Sequence, residues 1–159
     1  MAAYKKTGID AKSLLPGGGP YGNLTVFEFN MTTTSAGIVS NSDAAAAFGS
    51  GDTVKLGILP AGFRPIECTA VVSNAFTASS TADIGFLYVD GVDDTPAQDA
   101  DYFLNDIALN ATGVTRLNNI VGPVKFPKDV YVVLTHSAHT QAEAGVLDVA
   151  IVGVCKGAP

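Results

Sequence analysis

Between residues 51 and 90 the chain alternates apolar and polar positions with a period of two, and no helical stripe interrupts it. Val54, Leu56 and Ile58 alternate with Thr53, Lys55 and Gly57. After a Pro60-Ala61-Gly62 turn, Ile66, Cys68, Ala70 and Val72 alternate with Glu67, Thr69 and Ser73. After a further connection, Ile84, Phe86 and Tyr88 alternate with Asp83, Gly85 and Leu87. A strand alone keeps an apolar set on one side at this spacing, so the stretch predicts antiparallel strands with one packed and one wet face.

The pattern continues on both sides. Residues 24–30 (LTVFEFN) form an earlier strand candidate, and 102–109, 114–118, 123–126, 130–136 and 146–155 form later ones, each bounded by Gly, Pro, Asn or Asp. Asp90-Gly91 marks a tight turn. Pro127-Lys128-Asp129 precedes a strongly apolar run at 130–134 that reads as a central strand. Two short helices are expected as excursions. One follows Ser42-Asp43 through four alanines to Phe48, and the other has a capping-box arrangement over Thr95-Pro96-Ala97-Gln98. Eight or nine strands with such turns predict an all-β fold: a two-sheet antiparallel sandwich, jelly-roll-like, ahead of an immunoglobulin-like sandwich, for which the tryptophan is missing.

Gly17-Gly18-Gly19-Pro20 divides the chain into residues 1–20, an extended N-terminal arm, and residues 21–159, the β-sandwich domain. The arm's apolar residues, Tyr4, Ile9, Leu14 and Leu15, fit neither a helix face nor a strand face. Its three lysines, Lys5, Lys6 and Lys12, stand against one aspartate, a net of +2 that leaves −8 for the rest of a chain of net charge −6. An acidic body lacks the clustered Lys and Arg that phosphate contacts need, so no nucleic-acid partner is expected. Charged residues make up only 15% of the 159 residues, against about 25% in ordinary soluble domains. Two readings of that deficit stand open: a surface covered by copies or partners, or one whose polar face is Ser, Thr and Asn. No signal-peptide pattern and no membrane-length apolar run is seen, so no membrane partner is expected and synthesis in a cytoplasm is.

Candidate chemistry is sparse. Cys68 and Cys155 read as small core hydrophobes rather than a disulfide pair. His136 and His139 form an H-x-x-H at a strand end, without a third ligand cluster, and read as two polar loop histidines. Asp90, Asp93, Asp94, Asp99, Asp101 and Asp106 crowd one connection, whose spacing does not match a calcium-binding EF-hand, and read as a solvated or partner-facing patch. The glycine run lacks the following Lys of a phosphate cradle, and no G-x-S-x-G elbow occurs. Catalytic residues, cofactors and metals are therefore not expected, and the chain does not read as an enzyme.

The segment GDTVKLGILPAGFRPIECTAVVSNAFTASSTADIGF, residues 51–86, resembles small virion proteins of tailed bacteriophages. These carry a strand, an L-P-A-G turn, an apolar strand and a Thr/Ser/Ala-rich turn before a D-(I/V)-G strand. The matching residues here are Val54, Leu56, Gly57, Leu59, Pro60, Ala61, Gly62, Ile66, Asp83, Ile84 and Gly85. Such proteins are similar to capsid cement, or head decoration, proteins. The resemblance implies a structural virion protein, made in the host cytoplasm, that binds the outer capsid surface and stabilises the lattice of the major capsid protein. It implies a homo-oligomer too, a trimer before a dimer. The arm residues Tyr4, Lys5, Lys6, Ile9, Lys12, Leu14 and Leu15 are the candidate capsid contacts. The alternative is a carbohydrate- or receptor-binding sandwich of a tail or fibre, for which Tyr102 and Phe103 beside Asp101, Asn105 and Asp106 form the single candidate grouping.

Overall fold

The computed structural model describes residues 3–5, 24–117 and 124–155. The strands are β1 (Ala3–Lys5), β2 (Leu24–Thr32), β3 (Thr53–Leu59), β4 (Phe63–Asn74), β5 (Thr81–Tyr88), β6 (Asp99–Ala108), β7 (Gly113–Arg116), β8 (Val130–Ser137) and β9 (Val146–Cys155). One sheet has the order β3-β8-β5-β6, with β1 added in parallel at its β3 edge, and the other has the order β2-β9-β4-β7.

The antiparallel pairs are nested: β2 with β9, β3 with β8, β4 with β7, β5 with β6. The eight strands thus form one long ribbon closed at the β5–β6 turn. Rolling that ribbon brings β9 against β4 and β8 against β5, which makes a jelly roll of two facing sheets. The expected sandwich is the observed one, and β8 lies at its centre with Val130, Val132 and Leu134 fully buried.

Each sheet turns its apolar positions inward, because only that face can escape water. Phe27 and Met31 of β2, Phe63 and Cys68 of β4, and Leu147 and Ile151 of β9 meet Val54, Ile84, Phe86 and Leu134 from the opposing sheet. Phe86, Tyr102, Phe103 and Phe126 pack edge-to-face or tilted, with neighbouring ring centres 4.8–6.5 Å apart. Burial in this core pushes the Cys68 thiol up to about 12. Cys68 pairs with Ile151 while Cys155 lies opposite Phe63, four register positions along the ribbon, and both thiols are free.

The structure departs from the strict alternation where strands bulge, and two of these places re-aim apolar residues. The register shifts between Lys55 and Gly57 and between Pro65 and Glu67. An extra residue sends everything beyond it to the other face. Leu59 is therefore buried in place of Ile58, and Ile66 is 46% exposed although its neighbours at 68, 70 and 72 point inward.

Neither expected helix forms. Ser42 Oγ accepts from the Ala44 N–H (3.1 Å) and donates to the Val39 carbonyl (2.7 Å), but no helical turn follows. Instead Phe48 anchors the segment in the core, its N–H bonded to the Gly37 carbonyl and its carbonyl to the Gln141 N–H. Two turns of alanine cannot outweigh that anchoring. At 95–98 the Gln98 side chain reaches across to the Tyr88 N–H (2.9 Å) instead of closing a capping box, so the segment covers the end of β5. The candidate strand at 123–126 is also absent from Val124 onward, and Pro123 lies outside the described residues. Phe126 is held by single bonds to Phe63 and Gly62.

Candidate interaction surface

Residue pairing fixes which side chains share the outer face of the β2-β9-β4-β7 sheet. Leu24, Val154 and Arg64 form one row, and Val26, Val152 and Glu67 the next. Glu28, Ala150, Thr69 and Arg116 follow, then Asn30, Asp148, Val71 and Val114. The first two rows, with Ile66 displaced beside them by its bulge, make a cluster of five apolar side chains. Leu24 is 67% exposed and Val26 49%. Towards the third and fourth rows a shallow groove runs over Ala150 and Val71, with Glu28, Asn30 and Asp148 at its rim. Asn30 donates to Asp148 at 2.7 Å, and Arg116 pairs with Glu67 at 2.7 Å. The face is half apolar and half hydrogen-bonding, as protein-contact surfaces are.

The aspartates do not form one patch. β6 runs the length of its sheet and carries Asp106 to the end where Ala108 pairs with Thr81, away from Asp90. There the Asp106 N–H bonds the Asp83 carboxylate at 2.7 Å. At the opposite end, Asp90 and Asp94 surround the Lys128 ammonium at 3.0 and 3.6 Å. The Val92 carbonyl accepts a further bond from it at 2.9 Å, and the Tyr88 ring lies 4.7 Å away. An ammonium thus occupies the place a cation would take in this loop. A backbone bond from Val92 and then the bond from Lys128 hold the Asp90 carboxyl below the usual carboxylate range. The Lys128 ammonium is held above its ordinary value, chiefly by the bond to Asp90.

The two histidines part company. His139 is exposed, whereas His136 is fully buried and bonded through both ring nitrogens, which corrects its reading as a loop residue. Among the described residues no group of three or more His, Cys, Asp or Glu is gathered as a metal would require. Tyr102 and Phe103 also lie in the core, because a run of irregular pairing between β5 and β6 turns both rings inward. The aromatic platform that a sugar would need beside Asp101 and Asn105 is therefore missing.

Of the arm residues, Tyr4 and Lys5 belong to β1, whose backbone pairs with Val54 and Lys55 of β3. Lys6, Ile9, Lys12, Leu14 and Leu15 lie outside the described residues. The apolar cluster around Leu24 and Val26 was not singled out in the sequence. Its signal was present in β2, where apolar residues occupy both parities of the alternation.

No family model matches the chain, and no curated protein matches it in sequence. Two solved chains match it in structure. A chain from the capsid of Ralstonia phage GP4 is 18% identical, with a TM-score of 0.68 over 99% of this chain and 100% of that one. A chain from the acid-stable capsid of Helicobacter pylori bacteriophage KHP30 is 13% identical, with a TM-score of 0.47 over 83% of this chain and 92% of that one. The first correspondence runs end to end, so the entire jelly roll, and not a shared pair of hairpins, is the common fold.

Proposed function

We propose that this chain is a structural virion protein of a tailed phage, a cement or decoration protein. It binds the outer surface of the capsid and stabilises the major capsid protein lattice. The observation that carries this reading is the end-to-end correspondence with a capsid chain of phage GP4. The phage-like strand-turn-strand of residues 51–86 supports it independently. On this reading the protein works by binding and not by catalysis. A module that binds the assembled lattice better than separate subunits shifts the equilibrium towards the lattice by mass action.

The outer face of the β2-β9-β4-β7 sheet supplies a mixed surface suited to such contact, and residues 1–20 supply a second, basic and apolar, contact. Tyr4, Lys5, Lys6, Ile9, Lys12, Leu14 and Leu15 pair with acidic and apolar groups of a neighbouring subunit. Repeated copies, as trimers on lattice axes, multiply a modest interface through avidity.

The test adds the purified chain to capsids lacking it and images them by cryo-electron microscopy, with capsid melting followed in parallel. Density over the capsid exterior and a raised melting temperature are expected. Density confined to the tail overturns the reading. Deleting residues 1–19 also removes β1 from the β3 edge, so the protein's own melt is measured alongside; capsid binding should weaken, and full-strength binding by the truncated chain would remove the arm's role.

A further inference from the structure

We infer that His136, Gln141 and Ser80 form an acid-sensitive clasp that locks three connecting segments at one end of the sandwich and releases them when His136 takes up a second proton. The three side chains are buried, at 0%, 1% and 0% exposure. His136 Nδ1 lies 3.0 Å from the Gly49 carbonyl, which can only accept, so Nδ1 carries the proton. Nε2 is then the acceptor, and Gln141 Nε2 donates to it at 2.7 Å. The orientation of the Gln141 amide is fixed independently. Its oxygen accepts from the Thr77 N–H at 3.0 Å, and its nitrogen also donates to Ser80 Oγ at 2.7 Å. Both ring nitrogens of His136 and both polar atoms of the Gln141 amide have their partners, and nothing in the chain is charged.

The clasp holds segments that no sheet ladder holds. The Gln141 N–H bonds the Phe48 carbonyl (2.8 Å), the Gly51 N–H bonds the His136 carbonyl (2.7 Å), and the Ala142 N–H bonds Thr77 Oγ1 (2.8 Å). Phe48 stacks on the imidazole at 4.9 Å. Residues 37–52, 75–80 and 137–145 are thus tied through one imidazole and one amide.

A second proton on His136 sets an N–H against the Gln141 NH2. Turning the amide over offers its oxygen to the imidazolium but sets its NH2 against the Thr77 N–H. Either arrangement leaves a buried donor without an acceptor, so the charged form is accommodated only by opening the clasp.

The charged groups around the ring are few. Asp52, whose carboxylate accepts from the Gly49 N–H at 2.9 Å, favours the imidazolium, and His139 on the following loop opposes it. Asp83 on the neighbouring strand is bonded to the Asp106 N–H, and Glu143 is exposed. Residues 75–80 carry no titratable group. Burial outweighs the Gly49 bond and Asp52 and holds the imidazole below its ordinary value. The unfolded chain therefore binds a proton that the folded one refuses, so the clasp is at full strength above about pH 6.5 and weakens as the pH falls below it.

The experiment uses the full-length protein. Hydrogen exchange, corrected for intrinsic rates, is compared at about pH 7.5 and about pH 5. Protection in 37–52 and 137–145 should fall roughly tenfold or more, while the central strands β8 and β9 keep theirs. Nitrogen-15 spectra of the imidazole should show the Nδ1–H tautomer at neutral pH, with His136 titrating below the histidines of the urea-unfolded chain. His136→Phe should abolish the pH dependence in both segments. Equal protection at the two pH values, or His136 titrating as in the unfolded chain while the segments stay protected, would overturn the clasp. The wild-type measurements decide the matter even where the variant does not fold.

Discussion

The two ends of this sandwich are closed in opposite ways. At the β8 C-terminal end, three connections meet around the uncharged His136–Gln141–Ser80 chain, sealed from water. At the other end, Lys128 gathers Asp90, Asp94 and the Val92 carbonyl at the surface, and Asp129 accepts from the Ala61 N–H at 2.8 Å. Both closures use polar groups to hold turns in place. They differ in what water does when a bond breaks. An exposed ammonium or carboxylate is rehydrated at once, so its pairing contributes little net stability. A buried amide that loses its partner finds no water, so the whole desolvation cost is felt.

The largest test of this contrast is Gln141→Leu. The change keeps the bulk but leaves the Thr77 N–H, Ser80 Oγ and His136 Nε2 without their partner. A loss of about 3 kcal/mol or more is expected, from the usual 1–3 kcal/mol for each buried group left unpaired. Urea unfolding measures it, and a loss under about 1 kcal/mol would mean that water reaches this end as freely as the other.

A matched pair of glycines comes next. Gly37 and Gly91 have nearly the same left-handed backbone, φ 73° and 72°, and lie at opposite ends. A Cβ at Gly37 would stand 2.0 Å from the Gln141 carbonyl oxygen, whereas one at Gly91 would meet nothing within 4 Å. Gly91→Ala should cost only the left-handed strain, on the order of 1 kcal/mol. Gly37→Ala carries that strain and must also push apart two backbone segments beside the clasp, so its cost should be several-fold larger, on the order of 3 kcal/mol. Equal losses in parallel melts would show that the Gly37 segment yields without strain.

How much of this was legible beforehand depends on the kind of interaction. The ribbon of strands was readable because the period-two pattern reports which face is buried, and the central place of β8 followed from its continuous apolar run. The bulges at Lys55/Gly57 and Pro65/Glu67 were not readable, since an inserted residue leaves the composition unchanged and only shifts parity. That shift is what exposes Ile66 and so extends the apolar cluster of the candidate surface. His136 could have been found: it continues the inward series of Val130, Val132 and Leu134 two residues at a time. Gln141 could not, because two of its three side-chain partners lie 61 and 64 residues away in Ser80 and Thr77. The contacts expected of Lys6, Ile9, Lys12, Leu14 and Leu15 fall outside the described residues.

The smallest expected effects separate the ends by solvent conditions. Between about pH 6.5 and pH 4, acid should act on the His136 clasp and spare the Lys128–Asp90 pair. Asp90 is held below the usual carboxylate range and so keeps its charge through that window. Added salt should do the reverse, since it screens exposed charges, with a Debye length of about 10 Å at 0.1 M, and leaves a neutral buried chain untouched. Lys128→Met removes the ammonium while keeping an apolar stem against the Tyr88 ring, 4.7 Å from the charge in the native chain. It should shift the melting temperature less than Gly91→Ala does, and the shift should shrink further at high salt. A double variant with Gln141→Leu should show additive losses, because the two ends share no partner. Non-additivity in that cycle would mean that the ends communicate through the strands of the sheet between them.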